Sequence, residues 1–132
     1  MRRNGEPYVS PHKDIVESYF EGFRQGDHER ILALLTEDVV WDLPGYARLV
    51  GKEAFDNEIE NEAFTGRPIL TVDRLIEEGD TVVAIGNGEG TLQSGEPFRF
   101  AFCTVLTFAG DLIGRVESYI VPLGGAPAGS TG

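Results

Sequence analysis

A chain of 132 residues with 41% apolar and 25% charged residues suits one globular domain with its own core. A formal net charge of −11 disfavours nucleic acid and anionic membranes as partners, and no apolar run approaches the roughly 20 residues of a membrane span. A single cysteine, Cys103, excludes an internal disulfide, and with only His12 and His28 as imidazoles no metal centre is expected.

The opening MRRNGEPYVSP has no apolar signal region, so residues 1–9 read as a flexible N-terminus of a cytoplasmic protein. Ser10-Pro11 is a helix start, with a capping hydroxyl and proline at the first helical position. Ile15, Tyr19 and Phe23 recur at four-residue spacing, and Val16 and Phe20 widen the stripe. Gly26 ends this helix, and Asp27 caps a shorter one carrying Ile31, Leu32, Leu34 and Leu35. DVVWD is a β-branched and aromatic strand, followed by a loop through Pro44 and Gly45. A third helix is expected from Gly51 to Phe64, its acids (five against Lys52) forming a solvated face.

From Arg67 onward, turn signals at Gly79-Asp80, Gly95-Glu96 and Gly110-Asp111 divide the chain into four long strands. Their length requires bends or bulges. Alternation places Phe98, Phe100, Phe102, Thr104, Leu106 and Phe108 on one sheet face, with Arg99, Ala101, Cys103, Val105 and Thr107 on the other. The glycines of GNGEG lie inside a strand pattern and do not make a phosphate loop. Residues 124–132, GGAPAGSTG, have the composition of a disordered tail, leaving 10–123 as a single domain. The predicted class is α+β: three N-terminal helices packed on a strongly curved, mostly antiparallel sheet. Such a roll leaves a cone with an apolar mouth suited to a small molecule.

The stretch YFEGFRQGDHERILALLTEDVVWDLPG, then LVGKEAF and the closing GDLIGRVESY, resembles the nuclear transport factor 2-like superfamily. The likeness is greatest to its SnoaL-like and ketosteroid isomerase-like branch and covers roughly residues 11–123. It implies a cone-shaped, cystatin-like roll, a homodimer through the open sheet face, and no cofactor. The small, apolar Ala101, Cys103 and Val105 agree with such a dimer face. In the isomerases an Asp is the general base, and a Tyr with a protonated Asp forms the oxyanion hole. By that likeness Tyr19, eight residues before Asp27, is the oxyanion donor. Asp42, nine before Gly51, is the base. The second acid would fall at Cys103 or Thr104, neither of them acidic, and the Thr104 hydroxyl is the candidate second donor, weaker than a neutral carboxylic acid. The Arg-x-Asp pair of limonene epoxide hydrolases has no counterpart, because Arg99-Phe100-Ala101 supplies alanine.

Two readings follow. One is an isomerase or cyclase that abstracts a proton next to a carbonyl, with Phe23, Trp41, Tyr46, Phe55, Ile59, Phe102 and Leu106 walling its pocket. The other is a ligand-binding or dimerisation domain without catalysis, in which Asp42 belongs to an Asp-Leu-Pro-Gly turn. Convergence of Tyr19 and Asp42 on one cavity separates the two.

Overall fold

The computed structural model describes residues 10–124; the expected flexible N-terminus (1–9) and all but the first residue of the expected tail lie outside the described residues. Three helices precede and interrupt a six-stranded sheet, in the order α1 (Pro11–Gln25), α2 (His28–Leu32), β1 (Leu35–Leu43), β2 (Ala47–Val50), α3 (Lys52–Ile59), β3 (Phe64–Glu78), β4 (Thr81–Leu92), β5 (Pro97–Ala109) and β6 (Leu112–Pro122). The sheet order is β2-β1-β6-β5-β4-β3. Only the β1–β6 pairing is parallel, which makes this the expected α+β fold on a curved sheet.

Local chemistry sets the helix ends. Ser10 Oγ accepts from Lys13 N at 3.1 Å, and Pro11 opens α1 without losing a bonded N–H. Gly26 closes it in the left-handed region (φ 65°), where its N–H reaches the carbonyls of Gly22 and Phe23. Asp27 then accepts from Arg30 N at 3.1 Å and starts α2. His12 stacks on Phe108 at 4.0 Å and contacts Gly110 O and Glu77, tying the start of α1 to the far end of the sheet.

Three boundaries differ from expectation. First, α2 stops at Leu32, so Leu34 lies beyond the helix and Leu35 opens β1 instead of ending α2. The loop after Pro44 leads into an additional short strand, β2, which pairs antiparallel with β1. Tyr46 N bonds to Leu43 O at 2.8 Å across Pro44 and Gly45, and Gly45 has φ 83°, as the second central position of a type II turn requires. In addition, α3 stops at Ile59 rather than Phe64. Glu60 is extended, Asn61 Oδ1 accepts from Ala63 N at 2.8 Å, and this side-chain turn sends Phe64 into β3.

The long strands are bulged, as their length requires. Register shifts fall between Thr65 and Ile69, between Val72 and Arg74, and between Thr107 and Phe108. Strand parity then places Val82 and Ala84 of β4, and Phe102, Thr104, Leu106 and Phe108 of β5, on the face that meets α1 and α3. The core joins these residues to Val16, Tyr19, Phe20, Ile31, Phe55 and Val116. Gly86 and Gly88 share this face because rings lie across them. A Cβ at Gly88 would stand 2.5 Å from Phe100 Cζ, and one at Gly86 would meet the Thr71 carbonyl. The GNGEG glycines therefore make room for an aromatic row.

Candidate binding cavity

At the open end of the roll, between α1, the end of α3 and strands β3 to β5, lies a cavity of about 590 Å³. Its apolar surface comes from Phe23, Trp41, Ile59, Phe64, Pro68 and Phe100. Its rim carries Glu58, Glu60, Asn61, Glu62 and Arg67. An apolar concave floor with a few polar groups at its edge is the usual form of a small-molecule site. A second depression of about 520 Å³ between α1 and β3 is walled mainly by charged residues. Several of these engage one another or nearby groups, as in Arg24–Glu21 and Arg30–Ser18.

The floor is built by ring stacking. Trp41 lies on Phe55 with centroids 4.3 Å apart and meets Phe23 edge-on at 6.0 Å. Its indole N–H donates to Ser118 Oγ at 3.0 Å, which satisfies the polar end of an otherwise buried ring. On the other wall Phe64, Phe98, Phe100 and Phe102 follow one another at 5.6, 5.7 and 6.4 Å. Gly90 lies under Phe64, where a Cβ would approach Phe64 Cδ1 to 3.1 Å.

Of the expected pocket wall, Phe23, Trp41 and Ile59 line the cavity. Phe55, Phe102 and Leu106 lie beneath it as core, with Phe55 and Leu106 fully buried. Tyr46 is 66% exposed on the hairpin turn, and its hydroxyl accepts from Asn61 Nδ2. Phe64 and Phe100 complete the wall but were not among the expected residues. Alternation in β5 already put Phe100 on the inner face. Phe64 required knowing that α3 ends early.

The three residues expected to carry chemistry do not form one site. On β1 the buried residues are Val39, Trp41 and Leu43, and a strand's period of two turns Asp42 to the opposite face. There its carboxylate accepts from the Arg115 guanidinium, which also stands 3.6 Å from Glu117. Tyr19 is on the inner side, packed edge-on against Phe55 (6.3 Å) and tilted on Phe23 (5.1 Å). The sheet therefore separates Tyr19 from Asp42, and the expected convergence is corrected. Burial pushes the Tyr19 phenol above its ordinary value, so it stays protonated. Thr104 also faces inward, 5% exposed, between Ala84 and Ser118 in the ladder, and does not line the cavity. Glu117 and Tyr119 belong to the outer face with Asp42.

The cavity edge carries one further feature. His28 contacts Asp56 through Nδ1 (2.5 Å) and Glu60 through Nε2 (3.2 Å), joining α2 to α3 and its exit. The hydrogen bond to Asp56, then that to Glu60, raise the imidazole above its ordinary value. No cluster of three or more His, Cys, Asp or Glu suited to a metal occurs among the described residues. No helix among them is long and apolar enough to cross a membrane.

Comparison with known proteins agrees with this architecture. A nuclear transport factor 2-like protein of unknown function from Burkholderia pseudomallei superimposes with a TM-score of 0.77 at 24% identity, over 83% of this chain and 90% of that one. TerC, crystallised with polyporic acid, gives 0.75 at 26% identity over 83% and 90%. A proposed polyketide cyclase from Xanthomonas campestris pv. campestris gives 0.72 at 25% identity over 83% and 89%. No curated protein matches the chain. The SnoaL-like domain family matches residues 16–116, and the chain belongs to that family.

Proposed function

We propose that this protein binds a small, largely apolar, ring-bearing molecule in the cavity between Trp41, Phe64 and Phe100. The observation that carries the reading is the aromatic floor itself: four rings (Phe23, Trp41, Phe64 and Phe100) line a space of about 590 Å³, the size range of small-ligand sites. The crystallisation of the related TerC with polyporic acid supports a ligand of this kind. Proton abstraction by Asp42 is not part of the proposal, because its carboxylate lies across the sheet and is engaged by Arg115. Binding without catalysis is the reading that the geometry favours. In keeping with the family likeness, two copies associate through the outer sheet face, where Ala101, Cys103, Val105 and Tyr119 lie side by side.

The chain's single tryptophan lies in the proposed site and serves as its own reporter. Titration with a neutral aromatic ketone such as 2-acetonaphthone should quench Trp41 emission to saturation. Ile59→Glu, which places a carboxylate on the cavity wall at the last residue of α3, should weaken that binding at least about tenfold. A linear, unsaturable response, or an affinity indifferent to Ile59→Glu, would remove the proposal.

A further inference from the structure

The cavity's charged groups are not equivalent. Glu58 accepts from Asn61 Nδ2 at 2.7 Å, and Glu60 is held by His28 at 3.2 Å, so two of the three rim carboxylates are engaged within the protein. Arg67 is exposed at the same mouth and takes part in no hydrogen bond or ion pair among the described residues.

Its position has a specific backbone origin. Strands β3 and β4 are in register at Thr65↔Thr91 and again at Ile69↔Glu89, so β3 spends more residues than β4 on the same span. The excess is a bulge, Gly66-Arg67-Pro68, with Gly66 at φ 74° and Pro68 carrying no N–H to pair. The bulge brings Arg67 towards the end of α1. A Cβ at Gly26 would stand 3.3 Å from Arg67 Nε, so the bare Gly26 leaves room for that side chain. The partial negative charge at this helix end favours a cation there. However, the carbonyls of Gly22 and Phe23 already accept from the capping N–H of Gly26. The guanidinium's donors remain available to whatever enters the cavity.

We infer that Arg67 is a specificity-determining residue, and that the cavity selects a ligand whose ring-bearing body ends in an acidic group, a carboxylate or enolate oxygen. The inference rests on the proposed cavity binding. The body packs on Trp41, Phe64 and Phe100, and the oxygen anion accepts from Arg67 at the mouth. Planar guanidinium donors suit a two-oxygen anion better than a single ammonium does.

The test compares three probes of one size by calorimetric titration at low salt: 2-naphthoate, 2-naphthalenemethanol and 2-naphthylmethylammonium. The wild-type protein should bind naphthoate about tenfold more tightly than the alcohol, and 150 mM salt should reduce the difference. R67Q should bind the two with equal affinity, while R67K should keep part of the preference. Arg67 is exposed, so R67Q should melt like the wild type. Naphthoate bound no better than the alcohol, a preference that survives in R67Q, or tightest binding of the ammonium probe to the acidic rim would each overturn the role of Arg67. In those cases binding of the alcohol leaves the cavity reading intact. Failure of all three probes to bind would overturn the cavity reading and this inference together.

Discussion

A carboxylate one residue along a strand from a buried tryptophan must point the other way, and this decides what Asp42 does. Its partner, Arg115, belongs to the neighbouring strand β6, and both side chains are partly exposed (21% and 36%). Ion pairs of that exposure contribute at most about 1 kcal/mol. Asp42→Asn should therefore lower stability by no more than about 1 kcal/mol and leave ligand affinity unchanged, as denaturation and a Trp41 titration of the variant will read. Phe55 is the opposite case. Fully buried beneath Trp41 and beside Tyr19, it packs on both rings, so Phe55→Ala should cost about 3–5 kcal/mol in chemical denaturation. The apolar neighbours of Asp42 were legible in the sequence, but which face each residue takes depends on parity. Once Trp41 is assigned to the core, Leu43 joins it and Asp42 does not. The turn of the Asp-Leu-Pro-Gly stretch begins only at Leu43, so Asp42 is also not its capping residue.

Elements whose ends are coded locally were readable, and those fixed by distant contacts were not. Ser10, Gly26 and Asp27 announce both ends of α1 and the start of α2 through their own side chains or φ values. The early end of α3, the β2 strand and the Gly66–Pro68 bulge depend on partners elsewhere in the chain. For that reason Phe64 and Arg67 could not be placed at the cavity from spacing alone. The β4 glycines provide a direct check on the aromatic row. Gly86→Ala drives a methyl group into the backbone carbonyl of Thr71, which cannot rotate away, and should destabilise by at least about 1–3 kcal/mol.

The contact between α2 and α3 is a matter of charge. The hydrogen bonds to Asp56 and then Glu60 favour the charged form of His28, so its folded-state value is raised above the ordinary 6.5. Its stabilising contribution is complete below that unfolded value and is lost as pH rises through the folded one. Between pH 6 and pH 9 the melting temperature of the wild type should therefore fall more than that of His28→Gln. Parallel curves for the two proteins would show that the contact is not coupled to stability.

At the scale of the molecule, one curved sheet presents two different surfaces. The inner face gives the core and the cavity. The outer face carries Val83, Ile85, Cys103 and Val105 beside the Asp42–Arg115–Glu117 cluster. The proposed homodimer uses that outer face, and Val105→Asp should shift sedimentation from dimer to monomer while leaving the cavity's affinity for 2-acetonaphthone intact. The class of fold was legible throughout, because alternation along β5 and the turn signals between strands are local and repeated. The chemistry was less so: a family likeness places residues along the chain, while a strand's parity decides which side of the sheet they reach. The most direct test of the central claim is a crystal structure of the protein grown with 2-acetonaphthone. The ligand should lie between Trp41, Phe64 and Phe100, with the sheet between it and Asp42. A ligand seated on the outer face against Asp42 and Arg115, with the aromatic cavity left empty, would contradict it.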